Sequence, residues 1–279
     1  MLYFIADYFV YPIIYYVVRY RRRVVSENLR YSFPEKSVKE RKQIEKEFYH
    51  FFSTLLLETI KGYRIDHDKM KEHLEMYGHE ALIEDAKKHG GIILMLGHIC
   101  TWEWLAEIGY YTNQCDVEST YIYHHLNNRK ADKLMLEIRK KRGGDCVEMR
   151  GLLRYIIKMK QEQKPCIYCL LADQKPSPDL ELFETTFLNQ RTTFFSGGDK
   201  LSRKFGYPVY FAHSAMRSRG HYVLTIEPMV ADANALPTNE VTKIYADKLE
   251  KNILEYPAYW LWSHNRWKWT RNKQQTESK

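Results

Sequence analysis

Gly90-Gly91-Ile92-Ile93-Leu94-Met95-Leu96-Gly97-His98-Ile99-Cys100-Thr101-Trp102-Glu103-Trp104 decides how this chain is read. Ile92 to Leu96 is a short apolar run closed at both ends by glycine, the pattern of a strand buried on both faces of a parallel sheet. Gly97 is expected to let the backbone turn. Thr101 stands as N-cap to Trp102-Glu103-Trp104-Leu105-Ala106-Glu107-Ile108, whose acidic first turn suits a helix N-terminus. His98 then lies at the carboxyl end of a strand, where open α/β sheets hold their ligands. On one continuous helix His98 and Glu103 would stand about 140° apart around the axis. With a turn between them, the carboxylate is expected to fold back on the imidazole, fix its tautomer and stabilise its protonated form. That pair is a general base for an incoming hydroxyl and needs no serine or cysteine nucleophile.

Outward from this stretch, strand and helix signals alternate. Strands are expected near Val117 to Tyr123 and Cys166 to Leu171, and helices near Arg129 to Lys141 and Leu152 to Gln161, as in a mostly parallel sheet flanked by helices. Asp173 follows the second of these strands and so falls on the rim that carries His98. Pro176 and Pro178 break the chain into a loop. The polar 179–186 stretch leads into an aromatic-rich segment, Phe187 to Phe195, which reads either as an apolar slot or as core. Val209 to Ala215 and Tyr222 to Glu227, joined by Arg217 to Gly220, form a hairpin. A closing helix runs from about Asn239 to Leu254.

The front of the chain is different. Met1 to Val18 is apolar and aromatic with Asp7 as its single charge, and eighteen helical residues reach ~27 Å against a hydrocarbon core of ~30 Å. A span and a surface-embedded helix both remain open. Arg19, Arg21, Arg22 and Arg23 follow the apolar run, the wrong order for a signal peptide and the right one for keeping the remainder on the cytoplasmic side. Ser37-Val38-Lys39-Glu40 is a capping box that opens a helix to about Lys61, with Ile44, Phe48, Phe51, Phe52, Leu55, Leu56 and Ile60 at helical spacing. These signals divide the chain into an anchor (1–20), an amphipathic helical segment (21–65), an α/β catalytic domain (66–271) and a disordered tail (272–279).

Composition sets the outer bounds. The 279 residues suit one large α/β domain with an accessory segment. A net charge of +8 is too mixed with acids to argue for nucleic acid as partner, and fits anionic lipid or an acidic protein. Five cysteines, odd in number and scattered, are not a disulfide framework, and Cys166 and Cys169 read as buried strand thiols because no second ligand pair completes a zinc site.

The segment Leu96-Gly97-His98-Ile99-Cys100-Thr101-Trp102-Glu103 resembles the H-x4-D/E motif, in its G-H-x-x-x-W-E form, of the bacterial lipid A late (secondary) acyltransferase family within the lysophospholipid acyltransferase superfamily. Arg21 to Leu29, Arg139-Lys140-Lys141-Arg142-Gly143, Leu171-Ala172-Asp173-Gln174, Phe187 to Gly198 and Trp260 to Lys268 match in order, so the resemblance covers nearly the whole chain. It implies a glycerolipid acyltransferase-like α/β fold and a membrane-associated O-acyltransferase of lauroyl or myristoyl type at the cytoplasmic face of the inner membrane. It further implies an acyl-acyl carrier protein donor and, as acceptor, the hydroxyl of a 3-hydroxyacyl chain on a lipid A precursor. His98 and Glu103 become the catalytic pair; Arg142 first, with Arg139 as substitute, and Asp173 become substrate-binding residues. Neither a metal nor an organic cofactor is implied. An acyltransferase acting on another hydroxylated lipid, and a non-catalytic membrane-surface protein that kept the fold, are the alternatives. The tryptophan-rich Trp260 to Trp269 is either an interfacial belt or a packed terminus.

Overall fold

The computed structural model describes residues 1–125, 128–176, 182–268 and 270. The loop at Pro178, the 179–181 stretch, Trp269 and the tail from 271 lie outside the described residues. The core is a seven-stranded sheet built from β1 (Leu74–Tyr77), β2 (Gly91–Leu96), β3 (Glu118–Tyr123), β4 (Asp145–Glu148), β5 (Cys166–Leu171), β8 (Val209–Ser218) and β9 (His221–Val230). A separate hairpin joins β6 (Leu182–Phe187) and β7 (Gln190–Phe195). The sheet order is β1-β9-β8-β2-β5-β3-β4, and every neighbouring pair is parallel except β8 and β9.

β2 lies in the middle of the sheet with all six residues buried, which is why its sequence is an unbroken apolar run. β5 pairs beside it in a register that sets Leu96 against Leu171. Helices His79–His89, Ile108–Asn113, Arg129–Lys140, Leu152–Gln161, Gly197–Phe205 and Glu240–Glu255 supply the connections and cover the sheet. The aromatic segment expected as slot or core is core: Phe187 and Phe194 are buried and meet edge to face at 5.2 Å. Leu188 and Asn189 turn the hairpin with φ of 49° and 59°.

The long helix runs Val38–Arg64 and opens with the expected capping box: Ser37 N–H donates to Glu40 Oε2 at 2.7 Å and Glu40 N–H to Ser37 Oγ at 3.3 Å. Ile44, Phe48, Phe51 and Leu55 face the core, whereas Leu56 and Ile60 at its far end are exposed. Against it lies the N-terminal segment, helical from Leu2 to Val17 with widened turns such as Val18 N–H to Ile13 O. Tyr3 and Tyr15 donate to Glu58 and Glu45 of the long helix. Asp7 pairs with Arg219 at 2.6 and 2.9 Å. Its opposite face exposes Phe4, Tyr8, Phe9, Ile13, Tyr16, Val17 and Val18. Among the described residues no helix is long and apolar enough to cross a membrane.

Candidate active site

Two residues beyond the end of β2 stands His98, and two beyond the end of β5 stands Asp173. Because Leu96 and Leu171 are in register, the parallel strands deliver both side chains to one point of the rim. Asp173 Oδ1 accepts from His98 Nδ1 at 2.6 Å, and Oδ2 accepts the His98 backbone N–H at 2.8 Å and Trp260 Nε1–H at 2.7 Å. Burial works to raise the Asp173 carboxyl, but the attraction of the His98 ring and these donors override it and bring it down to about 2. An ionised carboxylate on Nδ1 places the neutral ring's proton there and leaves the Nε2 lone pair outward. Gln174, the next residue, has its side-chain nitrogen 3.0 Å from that Nε2.

The turn that presents His98 differs in detail from the expected one. Its left-handed residue is Cys100, with φ of 51°, and Gly97 serves instead for space: a Cβ there would lie 2.4 Å from Leu249 Cδ1 and 3.5 Å from Asp173 Oδ2. Thr101 makes no side-chain cap, and Trp102–Glu107 winds as a tight 3₁₀ turn. The terminal segment locks this turn through Cys100 N–H to Tyr259 O at 2.9 Å and Leu261 N–H to His98 O at 3.1 Å. The tryptophan-rich stretch is therefore a packed terminus, with Trp260, Trp262 and Trp267 all buried. Helix Arg22–Ser32 supports it from behind, where Asn28 Nδ2 donates to Trp262 O and His264 O.

Glu103, expected on the imidazole, makes no hydrogen bond to His98. It takes a two-pronged pair from Arg139, Nε to Oε2 at 2.9 Å and Nη2 to Oε1 at 2.7 Å, and a third bond from Trp102 Nε1–H at 3.1 Å. Burial works against the Arg139 charge, and Glu103 overrides it and raises the guanidinium above its ordinary value. A slot of about 30 Å³ adjoins this pair, walled by Leu96, Trp102, Tyr121, Cys169 and Leu171.

Arg142 goes elsewhere. Its Nη1 meets Glu107 Oε2 at 2.9 Å, and Nη2 donates to Ile65 O at 2.9 Å and also to Gly62 O. These carbonyls belong to the last turn of the long helix, so Arg142 fastens that helix to the sheet-covering layer. A larger depression of about 420 Å³ opens beside Arg142, His67, Glu107 and Tyr110, and its lining includes neither His98 nor Asp173. Of the five residues singled out from sequence, the structure brings His98 to Asp173 and Glu103 to Arg139, and sets Arg142 apart.

Gln174, Trp260, His264 and Arg266 were missed as site residues. Only their place in the matching segments at 171–174 and 260–268 signalled them. His264 Nε2 accepts Lys175 N–H at 3.0 Å, and burial pushes its imidazole down to about 4. Arg266 is buried over the Phe194 ring at 4.6 Å, and burial lowers its guanidinium to about 10 against the pull of Asp173.

A mostly parallel α/β sheet thus presents a carboxylate-held histidine at its rim, with no serine or cysteine hydrogen-bonded to the ring among the described residues, an arrangement able to accept a proton from a substrate hydroxyl. The chain belongs to the bacterial lipid A biosynthesis acyltransferase family, whose model matches residues 9–269. No curated relative matches the chain.

Proposed function

We propose that this acyltransferase moves a fatty acyl group from an acyl-acyl carrier protein to the hydroxyl of a 3-hydroxyacyl chain on a lipid A precursor. The observation that carries the reading is the orientation of His98, held at Nδ1 and at its backbone N–H by Asp173 while Nε2 faces outward. In that reading the acceptor hydroxyl gives its proton to Nε2 as its oxygen attacks the thioester carbonyl carbon. The tetrahedral intermediate then collapses, the C–S bond breaks, and the departing thiolate takes the proton back from His98. Ester and thiol are the products. Asp173 holds the tautomer that makes Nε2 the acceptor, and Glu103 with Arg139 braces the turn behind it.

The N-terminal segment lies on the membrane in this proposal and does not span it. Its apolar face sinks between the headgroups, and the exposed Arg19 and Arg23 beyond it meet anionic lipid. Asp7, buried beneath a span, would be costly; here it is paired with Arg219 on the protein side. Placement at the cytoplasmic face of the inner membrane follows from the donor, because acyl carrier protein is a soluble partner that reaches only that face. Its acidic surface suits a chain of net charge +8.

The test is transfer from an acyl carrier protein thioester to a lipid A precursor by purified protein. His98→Ala is expected to lower turnover by ~100-fold or more with the circular dichroism spectrum unchanged. Near-normal transfer by that variant sinks the mechanism, and preferential acylation of a lysophospholipid or aminolipid in parallel assays sinks the acceptor assignment.

A further inference from the structure

Acyl transfer through a tetrahedral intermediate leaves a negative charge on the former carbonyl oxygen, and that charge needs a donor near the attacking oxygen. The three backbone N–H groups nearest the imidazole, those of residues 98 to 100, are already engaged. The His98 N–H is on Asp173 at 2.8 Å, the Ile99 N–H on Gly97 O at 2.8 Å and the Cys100 N–H on Tyr259 O at 2.9 Å. Trp102 faces the imidazole edge to face at 5.1 Å, and its Nε1–H is on Glu103.

One side-chain donor does reach the reacting atom. Since Nδ1 carries the proton toward Asp173, Nε2 is an acceptor, and the Gln174 carboxamide at 3.0 Å must be the donor to it. In the free enzyme this N–H therefore occupies the lone pair that has to receive the hydroxyl proton. Gln174 is anchored at its root, because Asp173 beside it is fixed by three N–H bonds, while its own side chain is exposed and has that single hydrogen bond among the described residues. An acceptor hydroxyl can reach Nε2 only by displacing the amide.

We propose that Gln174 is the oxyanion donor of this enzyme, its carboxamide N–H capping His98 Nε2 at rest and turning onto the thioester carbonyl oxygen once the acceptor hydroxyl takes its seat. The inference rests on the reading of His98 as general base. The oxyanion is separated from the attacking oxygen by one carbon, two covalent bonds. A side-chain rotation of Gln174 thus carries the N–H from Nε2 to the ~2.7–3.1 Å range that an oxyanion donor requires. The bond it makes strengthens as the carbonyl oxygen gains charge, so its contribution belongs to the transition state and not to substrate binding.

Gln174→Leu removes the donor and leaves an uncharged branched side chain one atom shorter, and Gln174→Glu keeps the shape but turns an anion toward the developing charge. With both substrates varied, kcat is expected to fall ~100-fold for the leucine variant and further for the glutamate variant, with both KM values within about threefold. An exposed side chain with only a surface role would accept glutamate without loss. Leucine and glutamate variants that keep kcat within about threefold of wild type, or that raise KM alone, overturn the inference. His98→Ala, run in the same assay, separates the two levels: full activity there removes the base reading, whereas an inactive His98→Ala beside active Gln174 variants removes only the oxyanion assignment. Melting curves check that each variant is folded, and the leucine variant decides the question, because a carboxylate beside Nε2 would also hold the imidazole protonated.

Discussion

Asp173→Asn changes one oxygen into an amide and nothing else in size. Three donors converge on the native carboxylate, with the His98 N–H and Trp260 Nε1–H both on Oδ2 and the ring Nδ1 on Oδ1. Asparagine has a single acceptor oxygen, and it must face the two donors that meet at one point, because an NH2 placed there would oppose two N–H groups. Its NH2 then faces Nδ1. The imidazole responds by accepting at Nδ1 and carrying its proton on Nε2, where no lone pair is left for a hydroxyl. The same tautomer reversal in a Ser-His-Asp triad costs ~10⁴-fold in kcat, so a loss of ~10³ to 10⁴-fold is expected here, about 4 to 5.5 kcal/mol of barrier. Stability changes too. The native carboxyl titrates at about 2 against a reference of 3.8, a difference equivalent to about 2 kcal/mol. Because the folded value is depressed, that stability is present above about pH 4 and is lost as pH falls through about 2. Wild type should lose melting temperature across that window more steeply than the asparagine variant. Glu103→Gln, which only weakens the pair with Arg139, is expected to cost roughly tenfold in the same thioester-to-lipid assay. A Glu103→Gln enzyme that is dead beside an Asp173→Asn enzyme within tenfold of wild type would refute the assignment of Asp173 to the imidazole.

Arg142→Ala leaves the Glu107 carboxylate buried beside His67 without its cation and frees the end of the long helix, so denaturant unfolding should show a loss of about 3 kcal/mol or more, partly restored by Glu107→Gln. A fully stable Arg142→Ala protein with a weakened acceptor KM would return Arg142 to the substrate. Glu58 is buried between Tyr3 and Tyr222, and burial raises its carboxyl; with the folded value raised, stability is greatest below the unfolded value near ~4.3 and declines as pH rises through the folded one. Glu58→Gln should remove that decline in melting temperature, and an unchanged pH slope would show that Glu58 does not titrate across folding. Phe9→Asp with Val17→Asp, both on the exposed face of the N-terminal segment, should abolish flotation with anionic vesicles while leaving the melting temperature within a few degrees.

The apolar run of β2, the alternation that follows it and the capping box of the long helix were legible because each depends on local periodicity or on a side chain three residues away. The position of Asp173 on the His98 rim was also legible, from strand ends alone. What stayed hidden was contact. Two residues 75 positions apart touch because β5 pairs beside β2, ahead of β3 in the sheet although after it in the chain, and no local pattern encodes strand order. β1 and β4, of four residues each, are too short for alternation to register. The orientation of Glu103 failed for a different reason. The first turn expected to be α-helical and capped by Thr101 is a 3₁₀ turn, which advances about 120° per residue and swings the second position toward the helix that carries Arg139.

Separating the two carboxylates has an electrostatic consequence at the rim. Had Glu103 and Asp173 both faced His98, one would have been driven to hold a proton by its neighbour's charge, as like charges in one site require. Arg139 absorbs Glu103 in a two-pronged pair, and the buried Arg266 stands within electrostatic reach of Asp173. His264 is held neutral by burial. Two anions therefore meet two cations around the imidazole. In the proposed mechanism, where His98 takes the hydroxyl proton, the positive charge it gains has one counterpart that did not exist before, the oxyanion forming two bonds from the attacking oxygen. A site already balanced around the resting ring favours the transition state by creating both charges together and close to each other. The H-x4-E spacing then reads as two separate placements set side by side: a histidine oriented from across the sheet, and a glutamate that fixes its own turn to the neighbouring helix.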